Sequence, residues 1–302
     1  MICFRKCSYG KCVNKVTDEK GLVLSSVAEK EETFMKIADI HIHVFPDKLA
    51  EKAAHSIGEF YDKTAYTIAS TERLVNELAE AGISRCVISN SATTPKQVRN
   101  INTFLAQAAH EHPGFMGFGS LYPGMEGYEE ELDRMEELGL RGLKIHPDFQ
   151  RVPIDASCGI DMYRSIARRG LPVLFHMGDD RYDYSSPKRL TNLLRKVPDL
   201  KVIAAHFGGW TIWERSLNHP QPENVLYDTS STIPLVSEEL VYRMFDRFGP
   251  ERFLFGSDFP MWKPKDAVEQ LLRFDLGEDV MEKILYGNFC KLLGLDAEEA
   301  SS

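Results

Sequence analysis

Short apolar runs alternate with longer amphipathic stretches along most of this 302-residue chain. The apolar runs predict eight strands, at Lys36–His41, Ile83–Ser89, Phe115–Leu121, Gly142–Ile145, Pro172–His176, Lys201–His206, Asn224–Asp228 and Arg252–Gly256. The stretches between them repeat apolar residues at helical spacing, for example at Thr71–Ala81, Pro95–His110, Tyr128–Leu138, Gly159–Arg169, Pro187–Lys196 and Ser237–Phe248. Ser70 and Gly82, which flank Thr71–Ala81, are typical helix-end residues. The pattern predicts an α/β protein.

Eight strand–helix alternations between residues 35 and 294 fit a (β/α)8 TIM barrel, which typically needs ~250 residues. A doubly wound sheet is the alternative, but the chain has no Gly-rich dinucleotide-binding fingerprint. We expect one barrel domain over residues 35–302, preceded by a poorly ordered extension at residues 1–34. Cys3, Cys7 and Cys12 cluster in that extension, and their spacing matches no zinc pattern.

The composition of the chain limits the classes of molecule that it is expected to bind. The formal net charge of −9 disfavours nucleic acid, because phosphate binding relies on clustered Lys and Arg. No apolar run approaches the ~18–20 residues of a membrane span, and no secretory signal pattern opens the chain. Cys86 and Cys290 lie in apolar stretches, as reduced core residues of a cytoplasmic protein do. We expect a cytoplasmic location, a small-molecule substrate and no membrane partner, with the oligomeric state open and a homodimer allowed.

The candidate chemistry begins with ADIHIH at the first strand. Side chains alternate along a strand, so His41 and His43 point to the same side. Five of the nine histidines fall at predicted strand ends, namely His41, His43, His146, His176 and His206. Asp258 follows the last predicted strand, and in a barrel all these ends meet at one rim. Imidazole and carboxylate ligands suit Zn²⁺ and related divalent ions.

We therefore expect a divalent metal, most simply Zn²⁺, held by His41, His43, His176 and Asp258 as one ion or as two. Such a metal would lower the pKa of bound water to about 7 and supply hydroxide at neutral pH. His206 is either a further ligand, a proton-transfer group or a core histidine beside Gly208-Gly209. Asp39 either orients an imidazole or is a buried structural carboxylate.

Lys144 and His146 share one face of the fourth strand. Lys144 could bind substrate, donate a proton, become a carbamylated ligand between two metals, or form a salt bridge at the barrel mouth. His146 is a candidate anchor for substrate. Trp210 and Trp262 follow strands six and eight, where they could form an aromatic wall, and Arg181 could clamp a substrate carboxylate.

The motifs ADIHIHVFPD, GLKIHP, LFH, AHFGG, FGSDFP and ILYGNFCKLLGL resemble the amidohydrolase superfamily, from Met35 to about Leu295. The branch most similar is the amidohydrolase-related group, which includes aminocarboxymuconate semialdehyde decarboxylase. The resemblance implies that His41, His43, His176 and Asp258 are metal ligands, that Asp258 also takes a proton, and that His206 is the acid/base of decarboxylase-like members. Lys144 departs from those decarboxylases and resembles the strand-four lysine of hydrolytic relatives.

The leading expectation is a metal-dependent hydrolase, in which metal-activated water attacks an amide, ester or lactone carbon. Asp258 would take the water's proton, and His206 and Lys144 would polarise or protonate the substrate. The alternative is a metal-dependent non-oxidative decarboxylase, a carboxy-lyase of an unsaturated or aromatic acid. A metal-binding barrel without turnover is the third reading, which Asp258 argues against.

Overall fold

The computed structural model describes residues 16–17, 23–24 and 35–296. Eight parallel strands form one sheet in sequence order, and their bounds are β1 Ala38–His43, β2 Arg85–Ser89, β3 Phe115–Gly119, β4 Gly142–Ile145, β5 Val173–Phe175, β6 Val202–Ala204, β7 Val225–Asp228 and β8 Phe253–Leu254. Val16–Thr17 and Val23–Leu24 form a separate antiparallel pair. Cys3, Cys7 and Cys12 lie outside the described residues.

The sheet closes on itself between β1 and the chain that follows β8. The Ile40 amide donates to the Phe255 carbonyl at 3.0 Å, and the His43 amide donates to the Phe259 carbonyl at 2.8 Å. In the reverse direction, the Asp258 amide donates to the His41 carbonyl at 2.8 Å. These bonds pair the polar groups that an open sheet would leave at its two edges. The (β/α)8 barrel predicted from the sequence is confirmed.

Helices separate the strands, and their bounds are α1 Asp47–Tyr61, α2 Thr71–Ala81, α3 Val98–Glu111, α4 Tyr128–Glu137, α5 Pro147–Gln150, α6 Ser157–Arg168, α7 Pro187–Lys196, α8 Trp213–Leu217, α9 Glu238–Phe248, α10 Pro264–Leu271, α11 Glu278–Glu282 and α12 Asn288–Leu293. The signals at the ends of α2 are confirmed: the Ser70 hydroxyl accepts from the Arg73 amide, and Gly82 has a φ of 69°. In the part of the chain that the structure describes, no helix is long and apolar enough to span a membrane.

Helix α1 lies outside the helical stretches given above as examples. The residues that it buries are Ala50, Ala54 and Gly58. Position 58 requires glycine, because a Cβ there would lie 2.5 Å from the Lys63 carbonyl oxygen. The helix ends at Asp62, whose φ of 50° places it in the left-handed region.

Apolar side chains fill two layers, one inside the barrel and one between strands and helices. The inner layer comes from alternate strand positions and includes Ala38, Ile40, Val87, Phe118, Leu174, Ile203 and Leu254. Tyr286, Phe289, Cys290 and Leu293 pack against the same layer from the C-terminal segment. Leu143 and Ile145 belong to the outer layer, so Lys144 between them points inward. The barrel interior is therefore a packed core that also contains the Lys144 side chain.

The inner layer allows a direct test of the closed barrel. We expect Leu174→Ala to lower the free energy of unfolding by about 2–5 kcal/mol, because Leu174 is fully buried among facing strands. Leu138→Ala is the matched control, since Leu138 is 37% exposed, and it should change the free energy by less than about 0.5 kcal/mol. Urea denaturation measures both. Equal effects of the two substitutions would contradict the described packing.

Candidate metal centre and active site

Three ligand atoms converge where β1 ends. The Nε2 atoms of His41 and His43 are 3.2 Å apart. Asp258 Oδ1 lies 3.5 Å from Nε2 of His41 and 3.4 Å from Nε2 of His43. His41 and Asp258 are buried and His43 is nearly so. The structure thus brings together three of the four metal ligands named from the sequence.

The hydrogen-bond partners of Nδ1 in His41 and His43 indicate the tautomer of each ring. His41 Nδ1 lies 2.8 Å from Asp228 Oδ2, and His43 Nδ1 lies 3.3 Å from the Ser89 carbonyl oxygen. Both of these partners are acceptors, so each Nδ1 carries a proton and each Nε2 presents a lone pair. Two lone pairs and a carboxylate oxygen therefore face one another. Acceptors repel at this range unless a cation lies among them, so the donor set fits a divalent metal.

Asp228, at the end of β7, organises the polar groups behind the metal cluster. Its Oδ2 accepts from His41, whereas its Oδ1 accepts from the His206 amide at 2.9 Å and from the Ser230 amide and hydroxyl at 3.0 and 2.5 Å. Burial alone would raise the pKa of Asp228, but His41 and these hydrogen bonds outweigh burial and hold its pKa far below the ordinary value. Asp228 was not predicted as a site residue, although it ends a predicted strand at the same rim.

Asp258 owes its position to the turn after β8. Its φ of 60° is a left-handed conformation, which aspartate adopts more readily than most residues. The Ser231 hydroxyl donates to Oδ2 and in turn accepts from Trp262 Nε1 at 2.8 Å. The Ser231 hydroxyl thus fixes the orientation of the Asp258 carboxylate at the cluster.

The sequence left open whether Asp39 orients an imidazole or is a buried structural carboxylate, and its contacts are those of a structural carboxylate. Its carboxylate accepts from the His41 amide at 2.9 Å and from the Ser257 amide at 3.1 Å, and no described contact joins it to an imidazole. A bulge between Asp39 and Ile42 interrupts the strand alternation, so Ile40 faces the inner core and Ile42 the outer layer. Burial raises the pKa of Asp39 to about 7.

Lys144 points at the cluster from inside the barrel. Its Nζ lies 2.7 Å from His41 Nε2, and its side chain is fully buried. Burial lowers the pKa of Lys144 to about 8, while Asp258 and Asp228 oppose that shift. Among the residues that the structure describes, Lys144 Nζ contacts the His41 imidazole, and no ion pair between Lys144 and a carboxylate is present. The ammonium and a metal would compete for the same lone pair of His41.

His206 and His176 contact each other beside the cluster. His206 Nε2 lies 3.0 Å from His176 Nδ1, and His206 Nδ1 lies 3.3 Å from the Ser230 carbonyl oxygen. Burial lowers the pKa of His206 to about 4, which leaves the ring neutral at pH 7. Within the described chain, His176 Nε2 is buried without a hydrogen-bond partner and lies 3.9 Å from Asp148 Oδ2. The role of His176 as a metal ligand stays a prediction.

An aromatic group extends the site from His146 outward. His146 stacks on Phe149 at 3.7 Å and on His176 at 4.0 Å between ring centroids. Its Nε2 lies 2.7 Å from the Tyr61 hydroxyl, which the sequence did not single out. Trp210 packs edge-on against Tyr61 at 4.8 Å. His146 and Trp210 thus lie in one wall of the site, as a substrate-binding role requires.

Arg181 is placed differently from the substrate clamp suggested by the sequence. Its guanidinium forms a 2.7 Å ion pair with Asp179 and donates to the Phe60 carbonyl at 2.6 Å. It also lies 4.7 Å from the centroid of the Phe60 ring. Arg181 is not among the described residues that line the site cavity. Its contacts instead attach the end of α1 to the loop after β5.

The cluster opens into a cavity of about 770 Å³. Its inner end is lined by the polar residues His41, His43, His146, Asp148, His176, His206 and Asp258, with Trp210 and Trp262 beside them. Side chains of α1 and α3 form much of the remaining wall. A large cavity that ends on a convergent set of polar groups is the usual form of a small-molecule site.

Solved structures with the same architecture share little sequence with this chain. The 5-carboxyvanillate decarboxylase from Sphingomonas paucimobilis is 16% identical, with a TM-score of 0.67 over 87% of this chain and 100% of that one. A dihydroxybenzoic acid decarboxylase from a Polaromonas species, solved with bound manganese and the inhibitor 2-nitroresorcinol, is 17% identical, with a TM-score of 0.67 over 89% and 99%. A proposed 2-pyrone-4,6-dicarboxylic acid hydrolase from Pseudomonas putida is 19% identical, with a TM-score of 0.63 over 88% and 100%.

Sequence comparison identifies the family. No curated protein sequence matches the chain. The family model described as "Amidohydrolase" matches residues 38–295, which span the whole barrel from β1 to α12. The matched range contains every residue of the metal cluster and of the network behind it. The chain therefore belongs to the amidohydrolase family.

Proposed function

We propose that this chain is a metal-dependent non-oxidative decarboxylase, a carboxy-lyase that acts on an unsaturated or aromatic acid. The observation that carries the proposal is a cavity with apolar walls that ends on the cluster of His41, His43 and Asp258 beside a neutral His206. A bound cation attracts a carboxylate into that environment, whereas the CO₂ that leaves is neutral and needs no polar surroundings. Two of the three similar structures described above are decarboxylases by name, which supports this alternative over the hydrolase that the sequence favoured.

The residues divide into those that hold the metal and those that handle the proton. His41, His43 and Asp258 would hold a divalent ion, with His176 as the proposed fourth ligand. A bound ion supplies positive charge that polarises a substrate oxygen. Asp228 and Ser230 keep the proton of His41 on Nδ1, so that Nε2 stays available as a ligand.

Decarboxylation breaks the bond between the ring or alkene carbon and the carboxylate carbon. The electron pair stays on the substrate carbon, which must take up one proton as CO₂ leaves. His206 and Asp258 lie at the inner end of the cavity, where either group would first take a proton from a substrate hydroxyl or from water and then pass it to the carbon as CO₂ leaves. The Ser231 hydroxyl and the Trp262 indole hold Asp258 in place during the transfer.

Hydrolysis is the second candidate, and Lys144 is the observation that favours it. A lysine at this strand resembles that of hydrolytic relatives, and one similar structure is a proposed hydrolase. In this chain, Lys144 is fully buried, absent from the cavity lining and directed at His41. A role in bridging two metals would require that contact to break.

Isotope labelling separates the two reactions. We expect turnover of a phenolic aromatic acid in D₂O to release CO₂ and to place one deuterium on the carbon that carried the carboxylate. Reaction in H₂¹⁸O should leave the organic product unlabelled, because decarboxylation adds no water. Mass spectrometry of the product measures both labels. An aromatic lactone offered in H₂¹⁸O is the matched substrate for hydrolysis, and incorporation of ¹⁸O into the new carboxylate formed from it, without CO₂ release from the phenolic acid, would establish hydrolysis and overturn the proposal.

Metal content tests the cluster itself. The sequence favours zinc, whereas one similar structure holds manganese, so both ions belong in the experiment. We expect purified protein to bind about one equivalent of a divalent ion. His43→Ala should lose that ion, whereas the exposed control His110→Ala should keep it. Plasma mass spectrometry gives the counts. Full metal content in His43→Ala, or full activity without metal, would contradict the assignment.

His206 can be tested apart from metal binding. We expect His206→Asn to lower kcat by about 10²–10⁴-fold, because it removes a proton-transfer group while Asp258 and both β1 histidines remain. Metal content and folding should stay at wild-type levels. His110→Asn, on the exposed side of α3, is the matched control and should leave kcat unchanged. An unchanged kcat in His206→Asn would remove His206 from the mechanism.

A further inference from the structure

One side of α1 lines the outer part of the cavity. Leu49, Ala53, Ile57 and Phe60 follow one another at intervals of four, four and three residues, so they lie on one helix face. The residues that α1 buries against the protein, Ala50, Ala54 and Gly58, belong to a neighbouring face. Lys52 and Ser56 also line the cavity from α1, so its cavity face is largely apolar with two polar side chains.

The segment around α3 forms another part of this wall. Ile101 and Phe104 of α3 line the same cavity, and Phe45 contributes from the segment that follows β1. We call Leu49, Ala53, Ile57, Ile101 and Phe104 the apolar channel. Leu49 is 52% exposed and adjoins the other apolar residues of the cavity wall, so that it adds to a continuous apolar surface.

The size of the cavity exceeds the need of a one-ring acid. Its volume of about 770 Å³ lies in the upper part of the range of roughly 300–1,000 Å³ that encloses drug-sized ligands. A single ring held at the metal cluster would leave the apolar channel in contact with water. Covering that surface with a ligand's own apolar body is favourable by the hydrophobic effect.

Charges around the cavity indicate the sign of the ligand. Lys52, Lys63, Lys96 and Arg151 line it, and all four are exposed and form no ion pair within the described chain. The carboxylates in the lining are Asp148 and Asp258, which belong to the buried inner end. The mouth is therefore positive although the chain carries a net charge of −9. Such a mouth attracts anions and repels cations.

We propose that the cavity takes an amphipathic acid whose apolar body is longer than one ring. The acid group lies at the metal cluster, and the body lies along the apolar channel between α1 and α3. The position of the acid group rests on the proposed function, whereas the length of the apolar body rests on the cavity walls alone.

A series of 4-alkylbenzoates, from methyl to hexyl, tests the channel on the metal-loaded protein. These acids lack the ring hydroxyl that promotes decarboxylation, so they serve as binding probes. We expect Kd to fall by about fourfold for each added methylene until the channel is filled. Isothermal titration calorimetry measures Kd. The matching 4-alkylbenzylamines have the same shape and the opposite charge, and they should bind at least tenfold more weakly.

A variant that fills the apolar channel distinguishes specific binding in the channel from nonspecific hydrophobic binding. Ala53→Trp should remove the dependence of Kd on chain length while leaving the Kd of benzoate itself unchanged. Glu51→Trp, at an exposed position of the same helix, should behave as wild type. A Kd that does not vary with chain length in the wild type, or equal slopes in both variants, would overturn the proposal.

The outcomes also distinguish this proposal from the proposed function. If benzoate binds equally well after the metal is removed, the acid group is misplaced and the proposed function fails. The chain-length slope would then still report on the channel. Tighter binding of the benzylamines than of the benzoates would contradict the ligand's negative charge and overturn the inference.

Discussion

The site depends on three hydrogen-bond acceptors that face one another at the end of β1. They are two imidazole lone pairs and one carboxylate oxygen. Nε2 of His41 and Nε2 of His43 are 3.2 Å apart, and Asp258 Oδ1 is within 3.5 Å of each. Such a group is stable only with a cation in it or against it. The Lys144 ammonium contacts one member, and a divalent ion would contact all three. The polar network behind the cluster keeps its lone pairs turned inward.

The same contact between β1 and the chain after β8 closes the barrel and brings Asp258 to His41 and His43. Asp258 reaches His41 and His43 because the chain after β8 hydrogen-bonds to β1. Asp39 adds a further link, since its carboxylate accepts from the amides of His41 and Ser257. A change that loosened the contact between β1 and the chain after β8 would therefore also move Asp258 away from His41 and His43. Stability of the fold and affinity for metal are coupled at this seam.

The sequence predicts what depends on local pattern. Strand periodicity places His41 and His43 on one side, and the strand ends bring the distant Asp258 to the same rim. It does not show Asp228 as the partner of His41, because that contact joins residues far apart across the barrel. Arg181 was a candidate to bind a substrate carboxylate, because a guanidinium binds any carboxylate. In the structure it forms its ion pair with the carboxylate of Asp179, and the sequence does not show that pairing.

Chemistry and ligand shape reside on different parts of this molecule. The metal cluster and its network come from strand ends, whose positions the barrel core fixes. The apolar channel comes from side chains on α1 and α3 that face the cavity. Because Leu49, Ala53 and Ile57 contribute little to the core, they can change without loss of the barrel. Under the proposed function, one arrangement of ligands would thus serve acids of different lengths, and the cavity side chains of α1 and α3 would select among them.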